Sequence, residues 1–506
     1  MQSKDIKFNY YFFGSFLISL LSFTLGFIYM NYSTDIHHWS FILEPYFEYS
    51  MGKEFYKEIY LQYGSGIYRL MSLLSNFVPI NFFNLGLLTS FIFSIKFIYI
   101  FKIFKFLKIQ DNLSLVFTFC IFLIMTHAQV PWPDIYCGTV IVFFFYLVLK
   151  NQKKQNFKII LLSSFLLFLT IYLRNTYLLN YIFCFSLFFI FSFFFKTNNS
   201  SYINKIFNYS LIFILIYFST LYFNKDLYLW YIQGIGESKS YLGLDNNFFL
   251  SDLKQFIFII LRFAWHLIIP KNLFNLSLTL FFLICLLLIY FKFFKKKKIS
   301  LDLNPILFFF ICYGFGGLSQ NLNKFESLRY MNSSISLYFI SFLFLYSLFW
   351  QNKTYLKISI VIFSSYILLI SIHFPQSSNF FPLKENDFKK YEKTNFAYFG
   401  DKMLPSEYQE YYGEVSQYIC KKSEVYNLSF DRTFNYLCKN KPNKYSIFDK
   451  IKLEEKHLKN SIIITHYEIE NFKLVKKINI PKLYRYTYSD KFFRFFPDVI
   501  FFYEKN

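Results

Sequence analysis

The sequence predicts an α-helical membrane protein that crosses the bilayer many times and carries a small α+β domain at its C-terminal end. The 506-residue chain is 55% hydrophobic and 17% charged, and apolar stretches of about 20 residues, enough to cross a bilayer, recur along residues 1–373. From residue 374 onward, charged and apolar residues are mixed. We therefore predict a membrane domain at residues 1–373 and a C-terminal domain at residues 374–506.

The membrane domain is predicted to cross the bilayer about eleven times. Its first span, from Tyr10 to Met30, holds no charged residue. We expect this span to be retained, because it exceeds the roughly 7 to 15 apolar residues of a signal peptide and no small-residue cleavage pattern follows. The other spans are predicted near residues 82–101, 112–128, 134–149, 158–173, 176–195, 207–224, 272–291, 304–320, 330–350 and 357–373.

Lysine positions predict the orientation. Lysine is frequent in the short loops near residues 102–108, 150–154, 292–298 and 353–357, and such loops stay in the cytoplasm. The segment 256–269 is interpreted as an interfacial or re-entrant helix, because another crossing there would break this pattern. The N-terminus is then cytoplasmic, whereas the first outer loop at residues 31–81 and the C-terminal domain lie on the periplasmic side of a bacterial inner (plasma) membrane. Because loop lysines account for much of the net charge of +22, no nucleic-acid partner is expected.

Three apolar runs in the C-terminal domain predict strands: SEVYNLSFD, NSIIITHYEI and DVIFFYEKN. Cys420 and Cys438 are the only cysteines of this domain. An oxidising exterior favours a disulfide between them, across the hairpin-like region around SEVYNLSFD. Two free thiols are the alternative, because spacing alone does not show that the side chains meet.

Polar side chains collect in the loops that are predicted to face outward. Asp35 directly follows the first span and could either act chemically or cap a helix. Arginines near span ends could bind a ligand or extend to lipid headgroups, and adjacent histidines could be interfacial or begin a metal site. The candidates in these loops are Asp35, His37, His38, Glu44, His127, Asp134, Arg174, Lys324 and Arg329.

Three segments resemble the C-type (GT-C) glycosyltransferases, which are polytopic membrane enzymes that use polyprenyl- or dolichyl-phosphate sugars. The first is Asp35 with the following MGKEFYKEIYLQYGSG, which resembles the first outer loop of that family. The second, LTIYLRNTYLL, is similar to a loop of that family that carries a basic residue. The third, ESLRYMNSSISLYF, is similar to the family's late RY segment. The resemblance is closest to the bacterial branch related to protein mannosyltransferases and lipid A aminoarabinose transferases.

The sequence departs from this family at two points. Many relatives carry Glu after the aspartate, whereas Ile36 follows Asp35 here. The family's lysine near the end of the first loop has no match, because Tyr60, Gln62 and Tyr63 occupy that region.

The resemblance implies inverting transfer of a sugar from a polyprenyl-phosphate donor to a glycan, lipid or protein acceptor of the cell envelope. Asp35 would be the general base, and Arg329, Arg174 and Lys324 would hold the phosphate. His37, His38 or Glu44 would position the acceptor or a divalent cation, for which the need stays open. Further substrate-binding candidates are Tyr60, Tyr63, His127 and Asp134.

Two other functions are considered. A transporter or flippase of lipid-linked glycans usually shows internal repeats and ionisable residues near the bilayer midplane, and neither is evident. An O-antigen-type polymerase or ligase shares the substrate class, but its large outer loop usually comes late among the spans.

Overall fold

The chain is mostly helical and has a small C-terminal sheet region, as the sequence predicts. The computed structural model describes residues 10–32, 36–61, 63–125, 131–152, 155–194, 201–233, 305–321, 327–349, 390–396, 398–429, 432–438, 443–446, 461–466, 468–469, 472–481 and 499–504. The predicted spans at 272–291 and 357–373 and the segment 256–269 lie outside these residues.

Apolar α-helices form the first part of the structure. They are α1 Tyr10–Tyr32, α2 Ile36–Ser50, α3 Gly66–Leu74, α4 Phe82–Phe106, α5 Asp111–Met125, α6 Pro133–Asn151, α7 Phe157–Leu173, α8 Tyr177–Phe194, α9 Ser201–Phe223, α10 Leu227–Tyr231, α11 Pro305–Gly317, α12 Ser327–Ser333 and α13 Ile335–Phe349. Within the described ranges, α1, α4, α6 and α9 are long and apolar enough to cross a membrane. Helices suit that environment because they satisfy every backbone hydrogen bond internally.

The helices pack into a bundle with two distinct ends. Helices α1, α4, α6, α7 and α9 contact one another in succession, and α11 packs on α8. The end at which α1 stops and α4 begins is called the loop end, and it also holds the starts of α6, α8 and α12. The opposite end, called the lysine end, carries exposed lysines such as Lys105, Lys108, Lys150 and Lys158.

The C-terminal region contains a five-stranded mixed sheet. The strands are β1 Tyr391–Lys393, β2 Met403–Pro405, β3 Glu424–Asn427, β4 Asn443–Ser446, β5 Ser461–Thr465, β6 Lys473–Asn479 and β7 Val499–Glu504, with helix α14 Ser406–Ile419 after β2. The order of the larger sheet is β4-β3-β5-β7-β6, and β1 pairs with β2 separately. The three runs that predict strands form β3, β5 and β7.

A disulfide joins Cys420 and Cys438, with their Cα atoms 5.3 Å apart. The segment between them is not a hairpin, because β3 pairs in parallel with both of its neighbours, β4 and β5. The rest of this segment includes a 3₁₀ turn, Arg432–Tyr436.

The C-terminal region docks onto the loop end of the bundle. The buried ammonium of Lys402 donates to the carbonyls of Met30 (2.7 Å) and Asn31 (3.2 Å) in the last turn of α1. At the start of α4, the amides of Phe82 and Phe83 donate to the carbonyls of residues 398 and 399, at 3.1 and 3.2 Å. Helix ends have unsatisfied backbone groups, and a cation is favoured at a helix C-terminus. This docking therefore stabilises the ends of both helices.

Candidate functional site

Several residues that the sequence singles out lie outside the described structure. Asp35 belongs to the three-residue connection between α1, which ends at Tyr32, and α2, which begins at Ile36. His127 and Lys324 also fall outside the described ranges, and so do the side chains of His37 and His38. The roles proposed for these residues stay predictions.

Asp134 and Arg174 form a buried ion pair at the loop end. Pro133 begins α6, so Asp134 lies in the first turn of that helix, and Arg174 immediately follows the last residue of α7. The Nη1 atom of Arg174 donates to Oδ2 of Asp134, and their side chains are only 5% and 0% exposed. The hydroxyl of Tyr177 donates to the other carboxylate oxygen at 3.4 Å. Both charged residues are sequence candidates, and the structure shows that they pair with each other.

The guanidinium of Arg174 is held on further sides. Its Nε atom donates to the hydroxyl of Thr176 at 3.0 Å, and that hydroxyl donates to Oε1 of Gln320 at 2.6 Å. The amide nitrogen of Gln320 donates back to the Thr176 carbonyl at 2.7 Å. The ring of Tyr63, another sequence candidate, lies 5.5 Å from the guanidinium carbon. These contacts connect the first loop, the α7–α8 turn and the 3₁₀ turn Leu318–Asn321 that follows α11.

Arg329 lies at the same depth in the bundle as this ion pair. Gly138 of α6 packs so closely on Asn332 of α12 that no Cβ atom would fit between them. Asp134 lies about one helical turn, or about 5 Å, before Gly138, and Arg329 lies about one turn before Asn332. Both residues therefore lie on the loop-end side of this contact. Arg329 is partly exposed. Asp134, Arg174 and Arg329, which the sequence places in separate loops, thus lie at one depth and are together called the layer.

Lys96 is a buried cation that the sequence analysis missed. It lies within α4, its ammonium donates to Oδ1 of Asn332 at 3.4 Å, and it sits 3.6 Å from the centre of the Phe93 ring. The signal that could have found it is a charged residue inside an otherwise apolar span, since such residues are usually functional or paired. Lys96 therefore reaches the helix that carries Arg329.

Glu44, a predicted acceptor-binding residue, forms an ion pair with the C-terminal region. Its Oε2 atom lies 2.6 Å from Nη1 of Arg432, and the two side chains are 9% and 4% exposed. The Arg432 guanidinium also lies 4.5 Å from the Phe41 ring and 5.7 Å from the ring of Tyr60, the remaining candidate of the first loop. The C-terminal region thus reaches the polar face of α2.

Further contacts fix α2 against its surroundings. The hydroxyls of Ser40 and Thr433 lie 3.1 Å apart. The Trp39 ring stacks on Phe82 at 6.1 Å, and the Lys402 ammonium lies 4.4 Å from the Trp39 ring. Because α2 begins directly after Asp35 in the sequence, these contacts position the helix that follows the predicted base.

We expect Glu44→Gln to lower the free energy of unfolding by about 1.5 to 3 kcal/mol, the worth of a hydrogen bond to a charged partner. Glutamine keeps an acceptor for Arg432 but removes the opposite charge. Chemical unfolding of the detergent-solubilised protein measures this loss. The exposed Glu410→Gln serves as control and should unfold as wild type does, whereas a Glu44→Gln protein of unchanged stability would contradict the role given to this pair.

No three His, Cys, Asp or Glu side chains come together as a metal site in the part of the chain that the structure describes. The need for a divalent cation therefore stays open.

Comparisons with known proteins give no family for this chain. No protein-family model matches the sequence, and no curated protein matches it.

Proposed function

We propose that this protein is a membrane glycosyltransferase that moves a sugar from a polyprenyl-phosphate donor to a glycan, lipid or protein acceptor of the cell envelope. One observation supports this proposal most. Acidic and basic side chains gather at a single end of an apolar helical bundle, beneath a folded first loop that the C-terminal region holds in place. A lipid-linked substrate needs both surfaces, an apolar one for its tail and a charged one for its phosphate.

The chemistry matches these residue types. A sugar joined to a lipid phosphate already has a good leaving group, so the enzyme needs a base for the acceptor's proton and cations for the charge that develops on the phosphate. Asp35 is the proposed base, and attack from the face opposite the phosphate inverts the anomeric centre. A guanidinium matches two phosphate oxygens at once.

The geometry favours different roles for the two arginines. Arg174 is buried, whereas Arg329 is partly exposed at the same depth. We therefore propose that Arg329, assisted by Lys324, binds the donor phosphate. Arg174 instead has a structural role, because it fixes the positions of the residues around it. The C-terminal region has a positioning role, because it contacts α2 through Arg432 and Thr433.

The proposed topology follows from the two bundle ends. The lysine end is the cytoplasmic one, because lysine-rich loops stay inside. About eleven crossings, with a GT-C-like arrangement, then place the loop end and the C-terminal domain on the outer side of a plasma (inner) membrane. The disulfide between Cys420 and Cys438 supports an oxidising surrounding for this domain.

The test is release of polyprenyl phosphate from a panel of polyprenyl-phosphate sugars by the purified protein, with candidate cell-envelope acceptors. We expect release that depends on the acceptor. Arg329→Gln should raise the apparent Kd for the donor about 10- to 100-fold, because it loses one charge-assisted contact, whereas Lys158→Gln at the lysine end should leave it unchanged. Lack of release from every donor, with lipid binding intact, would favour a transporter or an O-antigen-type polymerase instead.

A further inference from the structure

A cavity of about 560 Å³ lies between the first loop and the loop-end tips of α7 and α9. This volume is typical of small-molecule sites, which span roughly 300 to 1,000 Å³. The residues that matter for its chemistry are Tyr49, Arg69, Tyr172, Tyr217 and Asp226. None of them is among the candidates that the sequence supplied.

Asp226 brings a buried carboxylate to the cavity wall. The residue is only 8% exposed, and its Oδ1 atom accepts no hydrogen bond from any residue within the described ranges. Burial raises the pKa of this carboxyl above its usual value, which the nearby Lys57 partly offsets. A buried oxygen without a donor is unfavourable. Asp226 also lines the cavity, where a ligand hydroxyl would reach its carboxylate through the more accessible oxygen, Oδ2.

The charges around the cavity nearly balance. Lys53 pairs with Glu48 at 3.2 Å, and Lys57 pairs with Glu54 at 2.6 Å. Such a wall does not suit a nucleotide or a polyphosphate, which would need an excess of cations. It suits a ligand that is neutral or carries a single charge.

Arg69 and two tyrosines supply the remaining recognition groups. The exposed guanidinium of Arg69 lies 5.6 Å from the Tyr49 ring and 5.3 Å from the Phe55 ring. Tyr49 and Tyr172 are half-buried residues of the cavity wall, so each brings part of an aromatic ring and a hydroxyl to it. Apolar ring faces next to hydrogen-bonding groups match the alternating C–H and O–H surfaces of a sugar.

We propose that this cavity binds a saccharide, whose hydroxyls donate to Asp226 and whose ring packs on the tyrosines. If the proposed transfer function holds, this saccharide is the acceptor. Tyr172 lies two residues before Arg174, and Ser65 in the cavity wall lies two residues after Tyr63, whose ring packs near that guanidinium. The bound acceptor therefore lies beside the layer that holds the donor phosphate.

Saccharide binding is tested on the purified full-length protein by saturation-transfer NMR and calorimetry, with cellobiose, chitobiose, maltose and digalacturonic acid as probes. We expect at least one probe to bind and Asp226→Asn to weaken its binding at least tenfold. Arg69→Gln, at an exposed position, should weaken it by at least threefold. The matched control Asp401→Asn should bind as wild type does.

Absence of binding by all four probes would overturn the proposal, and so would equal binding by wild type, Asp226→Asn and Arg69→Gln. The outcome is distinct from that of the transfer assay. Saccharide binding without release of polyprenyl phosphate would support the cavity and contradict the transfer function. Release of polyprenyl phosphate with an unchanged acceptor KM in Asp226→Asn would support the transfer function and contradict acceptor binding in this cavity.

Discussion

Replacement of Asp35 by asparagine is expected to slow sugar transfer by about 100- to 10,000-fold, the usual contribution of a general base. Asparagine has nearly the same size but cannot take the acceptor's proton. Donor binding and folding should change little, since the phosphate contacts are assigned to other residues. Release of polyprenyl phosphate by the purified variant, together with its apparent Kd for the donor, measures the effect.

Asp401→Asn is a matched control for this change, because Asp401 is exposed in the C-terminal region and, among the residues that the structure describes, pairs with the exposed Lys393. It should keep full activity. An Asp35→Asn enzyme with full activity would remove the assignment of the base. Labelling of Asp35→Cys by an impermeant thiol reagent from the cytoplasmic side alone would contradict the whole proposed topology.

Breaking the ion pair between Asp134 and Arg174 is expected to lower the free energy of unfolding by about 3 to 5 kcal/mol, because the remaining charge stays buried without its partner. Arg174→Met and Asp134→Leu should each have this effect. The double variant should recover most of the loss, since it leaves neither charge. Unfolding in mixed micelles with increasing denaturing detergent compares the three proteins with wild type.

Lys393→Met provides the comparison for a surface pair. Lys393 and Asp401 are 64% and 59% exposed, and such a pair contributes at most about 1 kcal/mol. If Arg174→Met unfolds like wild type but loses donor binding, Arg174 serves the substrate rather than the fold. A double variant as unstable as the singles would show that the buried residues matter for packing rather than for their mutual charge.

Helix positions are predictable from this sequence because membrane insertion depends on local composition. The predicted span at 134–149 corresponds to α6, Pro133–Asn151, and that at 158–173 corresponds to α7, Phe157–Leu173. The predicted span at 330–350 is divided at Ser334 into α12 and α13. Hydropathy does not predict this break, because it reports burial from water and not a helix boundary within an apolar run.

The partners of the polar residues were not predictable in the same way. Asp134 and Arg174 are candidates because of their charge, but the contact between them depends on how α6 packs against α7. The contact between Ser40 and Thr433 joins residues 393 positions apart, a separation for which one sequence carries no signal. Lys96 differs, because a charged residue inside an apolar span is visible in the sequence, whereas its contact with Asn332 is not.

The hydrogen bonds between Lys402 and the last turn of α1 have a consequence for biosynthesis. The carbonyls that Lys402 binds belong to Met30 and Asn31, which leave the ribosome far earlier. At about 5 to 20 residues per second, the end of the first helix waits roughly 20 to 75 s for this lysine. During that interval the last carbonyls of α1 lack the cation that they bind in the finished protein. The contact between the C-terminal region and α1 therefore forms only after the helices between them have been synthesised.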